Sequence, residues 1–399
     1  MGELSINKIK PVTSNTVVFG NSGDIIYLAT GATAVGFGSS PVTEDPNDPA
    51  IDTNPADGVG TLWLNTTNGC LFSCTDATTD ANVWINTANC IDLNISAFHG
   101  TGKIAGYAMG GGNPSADDTI EKFSFTSDGD ATDVGNLSAN KYAGSGQSSS
   151  INGYYSAGSL DTDTQQSQTA IEKFSFTSDA DSVLTSNLLT ARTFPASQSS
   201  KTHGYTSGGF FTSSTPQIEK FQFASESNVV GIGILPLSVH SIAGTNSTTH
   251  GYTTGGITTP PTVYRAERSK FSFSSDGDAV EIGPDLINRT TIAGLSSSTD
   301  GYICGGFDQT ISRTEITKHS FSSDNDTTDI GDIVHGAGGV GEAGLGQMGT
   351  SSVTHGYISG AISTIPLDYI DKFAFAAGGN TTDVGVLQVA RNYCSGAQV

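Results

Sequence analysis

The sequence predicts an all-β chain built from a repeated four-stranded unit, and three observations carry that expectation. The first is composition: 50 glycines, 14% charged residues and 36% hydrophobic residues. Gly, Ser, Thr, Asp and Asn suit tight turns between short strands rather than helices. The second is a Gly-Tyr pair that returns at Gly106-Tyr107, Gly153-Tyr154, Gly204-Tyr205, Gly251-Tyr252, Gly301-Tyr302 and Gly356-Tyr357. The third is an aromatic element after each pair, at 121–125, 172–176, 219–223, 269–273, 317–321 and 371–375.

Each element has a physical reading. In Lys122-Phe123-Ser124-Phe125 the rings alternate with polar residues, so Phe123 and Phe125 point to one face of a strand. The glycines that follow the Gly-Tyr strand, as at Gly208-Gly209, allow close backbone approach or positive φ. Asp128-Gly129 and Asp276-Gly277 are hairpin turn signals. A short Val134-Gly135 type run follows, and then often a basic residue: Lys141, Arg192, Arg289 or Arg391. Four strands in about 50 residues is the size of a propeller blade, which buries both faces only by stacking on neighbours in a ring. The Phe pairs are then inter-blade core. Residues 390–399 repeat the strand that precedes each Gly-Tyr, with no further unit behind them. They predict a closing strand that hides two edges, in competition with residues 95–104. Six blades are expected, with a seven-bladed ring as the alternative.

The order of double glycine, aromatic strand and a run leading to Arg resembles the kelch repeat. It departs from that pattern where the usual Trp is missing, since Trp63 and Trp84 both precede the repeats. It departs again at Ala157-Gly158-Ser159 and Ser359-Gly360-Ala361, which lack the double glycine.

Four regions follow. Residues 1–38 are short β-like runs and read as an attachment segment. Residues 39–59 are a Pro, Asp and Asn-rich linker. Residues 60–92 read as a small hairpin module with Asn68-Gly69 as its turn and Trp63, Phe72 and Trp84 as its core. Residues 93–399 are the propeller. The 60–86 stretch, with its Trp-Leu-Asn-Thr-Thr and Asn-Val-Trp pieces, resembles a module of structural and tail-fibre proteins of marine bacteriophages. Residues 4–33 resemble the β stretches that begin such proteins.

Charge and cysteines narrow the function. Net charge is −22, so phosphate backbones are repelled and nucleic-acid partners are not expected. The N-terminus shows no signal-peptide pattern and no apolar run long enough to span a membrane, which predicts no membrane insertion. The five cysteines, Cys70, Cys74, Cys90, Cys304 and Cys394, form no CxxC pair, and they read as free thiols rather than zinc ligands.

No catalytic motif is present. His203, His250 and His355 share one repeat position before Gly-Tyr, which points to a turn role. Asp128, Asp130 and Asp133, and again Asp324, Asp326 and Asp329, group hard oxygens that could ligate calcium; hydrogen-bonded turns are the other reading. No other cofactor is expected. The segments between Gly-Tyr and Lys-Phe vary most, so contacts are expected at Asp161, Asp163, Phe210, Phe211, Tyr264 and Arg265. The combined expectation is a non-enzymatic virion structural protein: a tail fibre, tail-associated or surface-decoration protein. It would join other virion proteins through its leader, form a homo-oligomer, and meet a host surface glycan or protein through its loops. The alternatives are a carbohydrate-binding or glycan-hydrolysing propeller and a bacterial interaction scaffold.

Overall fold

The computed structural model describes residues 42–49, 53–55, 58–66, 70–79, 82–86, 101–112, 115–160, 166–226, 229–334, 345–363 and 365–399. The 1–38 segment lies outside the described residues. The chain divides into two compact units, Met1–Ile95 and Ser96–Val399. Every regular element described in either is a β-strand.

The first unit holds one four-stranded sheet. Leu62–Asn65 pairs antiparallel with Leu71–Asp76, which pairs with Val83–Asn86. The expected linker needs correction here, because Thr43–Asp45 adds a fourth strand, parallel to Leu62–Asn65. Its polar side chains do not leave it loose: Asn65 Nδ2 donates to Asp48 Oδ1 at 2.7 Å, and Trp63 Nε1 to the Asn47 carbonyl at 2.9 Å. The expected aromatic core also changes. Trp63 and Trp84 meet edge to face at 5.9 Å but stay half-buried, whereas Cys70 and Cys74 are buried.

Among the described residues, the second unit carries one seven-stranded antiparallel sheet, four four-stranded ones and a two-stranded ribbon, and the copies of the sequence repeat fall on them in turn. Repeat three shows the plan: an inner strand Ala196–Ser199, the Gly-Tyr strand His203–Ser207, the Lys-Phe strand Gln217–Gln222 and an outer strand Val230–Ile234. Repeats four, five and six begin with the inner strands Ala243–Asn246, Ala293–Ser296 and Met348–Ser351. Repeats one and two share the 17-residue strand Thr132–Ser148, which pairs first with Asp117–Ser124 and then with Asn152–Ser159. Each inner strand packs against the inner strands on both sides. The inner strand of repeat one is Ser395–Gln398, paired antiparallel with Ala105–Met109, so the chain's last strand takes the closing place over residues 95–104.

The core between repeats follows from alternation. Phe221 and Phe223 of repeat three pack on Tyr154 of repeat two at 5.3 and 5.0 Å, and Phe123 and Phe125 of repeat one pack on Tyr357 of repeat six at 5.8 and 4.7 Å. The glycine of each Gly-Tyr pair is part of this packing. The Phe123 ring lies directly over Gly106, and a Cβ there would collide with it. In repeat five the first Phe becomes His319, wedged between Tyr252 and Phe321 at 5.3 Å from each.

Candidate functional site: the axial mouth

Strand direction gives the ring two different ends. The Gly-Tyr strand runs from the turn at residues 200–203 toward the variable segments, and the Lys-Phe strand returns to the acidic turns.

Buried ion pairs lock repeats one, two, three and five near the variable end. The glutamate preceding Lys-Phe meets the basic residue ahead of its own inner strand: Glu121 with Arg391 at 3.1 Å, Glu172 with Lys141, and Glu219 with Arg192. Arg192 Nη1 also donates to the carbonyls of Gly208 and Gln217 at 3.0 and 3.1 Å, and Arg289 Nη1 to those of Gly305 and Glu315 at 3.1 and 2.9 Å. Burial raises the Glu121 and Glu219 carboxyls and lowers the Arg192 guanidinium, despite the attraction of their partners. Burial also pushes Glu172 upward, but Lys141, Ser138 and Ser182 hold it below its ordinary value. In repeat five the acid moves to Asp285, which binds Arg289 at 2.7 Å and accepts from Thr317 and Thr327. The sequence contained both halves of these pairs as recurring positions, but nothing local joined them.

At the opposite end the acidic turns clasp neighbouring repeats. Asp128 binds Lys372 at 2.5 Å, Asp179 binds Lys122 at 2.7 Å, Asp276 binds Lys220 and Asp324 binds Lys270, both at 2.6 Å, and Glu226 binds Lys173. Repeat six carries Gly378-Gly379 in this turn, and among the described residues no acid reaches Lys318. The expected calcium residues therefore have separate protein partners. Asp130 Oδ1 accepts from the Val386 amide, while Asp133 and Asp329 accept from the Gly135 and Gly331 amides. Asp326 lies beside Gly283. Among the described residues no three His, Cys, Asp or Glu side chains gather as a metal site. Nδ1 of His203, His250 and His355 lies 2.8–2.9 Å from the preceding threonine hydroxyl.

The mouth is built at the variable end from the residue two positions before each of five inner strands, and from Ala143 within Thr132–Ser148. Ala143, Phe194, Ser241, Thr291, Gly346 and Tyr393 all have φ between 53° and 71°. The amide of each donates to the carbonyl of the one before, from Ala143 to Tyr393 and on around to Tyr393 to Gly346, at 2.8–3.3 Å. A left-handed conformation costs about 1–2 kcal/mol per non-glycine residue; the closed hydrogen-bond ring offsets it. Beneath the ring is a cavity of about 120 Å³. Its floor is Gly146, Ser197, Gly244, Gly294, Gly349 and Gly396, where inner strands meet backbone to backbone.

The variable segments surround this mouth, joined to it by bridges such as Thr193 to Phe210 and Thr290 to Phe307. Phe210 packs on His240 at 5.0 Å, Tyr264 lies 6.0 Å from Phe307, and Arg265 binds Glu267 at 3.2 Å. Phe211 is exposed at its tip. Asp161 and Asp163 lie outside the described residues. The mouth ring itself was missed by sequence reasoning; its only signal is a position that repeats in place but not in residue type.

No family model matches the chain, and no curated protein does. Among solved structures it is similar to one described as "Structure of YjhT", with a TM-score of 0.52 and 11% identity, covering 64% of this chain and 86% of that one. That neighbour is of the propeller type, and the likeness is one of fold.

Proposed function

We propose that the second compact unit is a six-bladed kelch-like β-propeller. We propose further that the chain is a non-enzymatic virion structural protein: a tail fibre, tail-associated or surface-decoration protein that makes contacts through its mouth face. One observation supports the contact role. The loops around the mouth differ in length and sequence between repeats, yet five of them present an exposed apolar side chain: Leu160, Phe211, Val263, Ile311 and Ile365, from 37% to 64% exposed. Variable loops on a repetitive scaffold are the usual site of recognition. The virion assignment leans on the resemblance of the 60–86 module and the 4–33 leader to phage structural proteins. Mass spectrometry of purified particles tests it: recovery of this chain in stoichiometric amounts supports the reading, and its absence removes it. A carbohydrate-binding propeller is the second reading, favoured by the uncharged axial cavity.

A further inference from the structure

The axial cavity is unusual for this chain in what it lacks. The protein carries 56 Lys, Arg, Asp and Glu residues, 17 basic and 39 acidic, yet none of them, and no histidine, lines the cavity. Its walls are also unequal. On one side Phe194 and Tyr393 flank Ala143 and meet edge to face at 5.2 Å, with Tyr142 behind them at 6.0 and 6.4 Å. Tyr142 is buried, whereas Phe194 and Tyr393 remain half-buried at the opening. Across the ring stand Ser241 and Thr291, with hydroxyls 3.0 Å from His240 Nδ1 and 2.7 Å from the Thr290 carbonyl. The backbone amides of the rim are committed to the closed ring, so they form a fixed aperture. The hollow faces solvent and its lining is mostly polar, with Phe194 and Tyr393 as its aromatic wall; convergent polar groups beside an aromatic face suit a small polar ligand.

We propose that this mouth binds the uncharged terminal residue of a saccharide. A pyranose has a face of C–H groups that packs on an aromatic wall and an edge of hydroxyls that meets Ser241 and Thr291. The cavity of about 120 Å³ is smaller than the roughly 150 Å³ one that admits benzene, so it takes in one edge of a terminal pyranose through its opening and excludes a chain. Taking an ionised sugar into a cavity without a counter-charge would require desolvating that charge unpaired, which selects neutral termini over sialylated or sulfated ones. The proposal deepens the contact role given to this face and rests on it.

The test is an array carrying neutral hexose and N-acetylhexosamine termini beside sialylated and sulfated ones, followed by calorimetry with the strongest neutral binder. Binding of neutral termini, weakened at least tenfold in Phe194→Ala, is the expected result. Ser241→Ala keeps the backbone ring and should weaken binding severalfold, which guards against a misfolded Phe194 variant. Preference for anionic termini, no neutral binding, or binding unchanged in both variants would overturn the proposal. Incorporation into virions is scored separately, so loss of saccharide binding with incorporation intact sinks this inference alone.

Discussion

In repeat three the Arg192 guanidinium and the Glu219 carboxylate meet away from solvent, and in repeat four the same two positions are Val239 and Ser269. Around the first pair, Glu219 accepts from the Leu189 amide at 2.7 Å and Arg192 binds two carbonyls. In repeat four, Val239 joins a cluster with Leu235 and Ile242, and Ser269 shares a buried 2.7 Å hydrogen bond with Thr253. A cavity of about 20 Å³ remains there, lined in part by Leu235, Leu237, Val239 and Ser269. Both members of the ion pair are absent together. Desolvating two charges offsets most of their attraction, so an apolar or hydroxyl pair serves nearly as well, whereas one charge left alone does not.

The largest expected effect follows from splitting the pair. Arg192→Ala should lower stability by about 3–5 kcal/mol, because Glu219 is left buried without a cation. Adding the repeat-four residues instead, as Arg192→Val with Glu219→Ser, should recover most of that loss. Urea denaturation of the single and double variants reads both values. A double variant as unstable as Arg192→Ala would break the comparison.

A second effect comes from His319, which stands where the other repeats have Phe. Burial chiefly, with Arg268 adding to it, lowers its pKa to about 3. It is neutral in the folded ring while the unfolded chain takes up a proton below about 6.5. Unfolded chains thus bind more protons, and the penalty on folding grows as pH falls below about 6.5 toward the folded value. His319→Phe should therefore gain about 2 kcal/mol more at pH 5 than at pH 8. Equal gains at both pH values in thermal or urea unfolding would show that packing alone separates the two side chains.

The smallest effect belongs to the clasps at the other end. Asp276 is 51% exposed where it meets Lys220, and exposed pairs contribute about 0–1 kcal/mol. Asp276→Ala should cost no more than that, and less in high salt. The junction at Lys318, which has no such acid among the described residues, marks how dispensable a single clasp is. A loss matching Arg192→Ala would overturn the distinction between buried and exposed pairs.

Much of the ring was legible because its cause is local. Alternation in 121–125 assigns Phe123 and Phe125 to one face, and turn chemistry separates the strands. The tail at 390–399 could be matched to an inner strand because it repeats one. Within the linker expected at 39–59, the strand Thr43–Asp45 is not legible in the sequence, because it is held by Asp48 and Asn47 bonding to Asn65 and Trp63. In the acidic turns, Asp128 and Asp324 serve lysines of neighbouring repeats and Asp130 the Val386 amide, while Asp133 and Asp329 bind amides two residues on.

The sequence by itself determined the repeat, its strand content and the residues that face its core, since these depend on periods of two and about fifty along one chain. Only the tertiary structure decided that Glu219 belongs to Arg192, or that Tyr393 bonds to Gly346 while Ala143 bonds to Tyr393. The contact of Ala143 with Tyr393 exists because the closing strand brings the end of the chain beside its early repeats, whereas Glu219 and Arg192 meet inside repeat three. A neutral hollow in a chain of net charge −22 likewise arises only at closure, where six small residues from six repeats meet on one axis and the charged side chains point elsewhere.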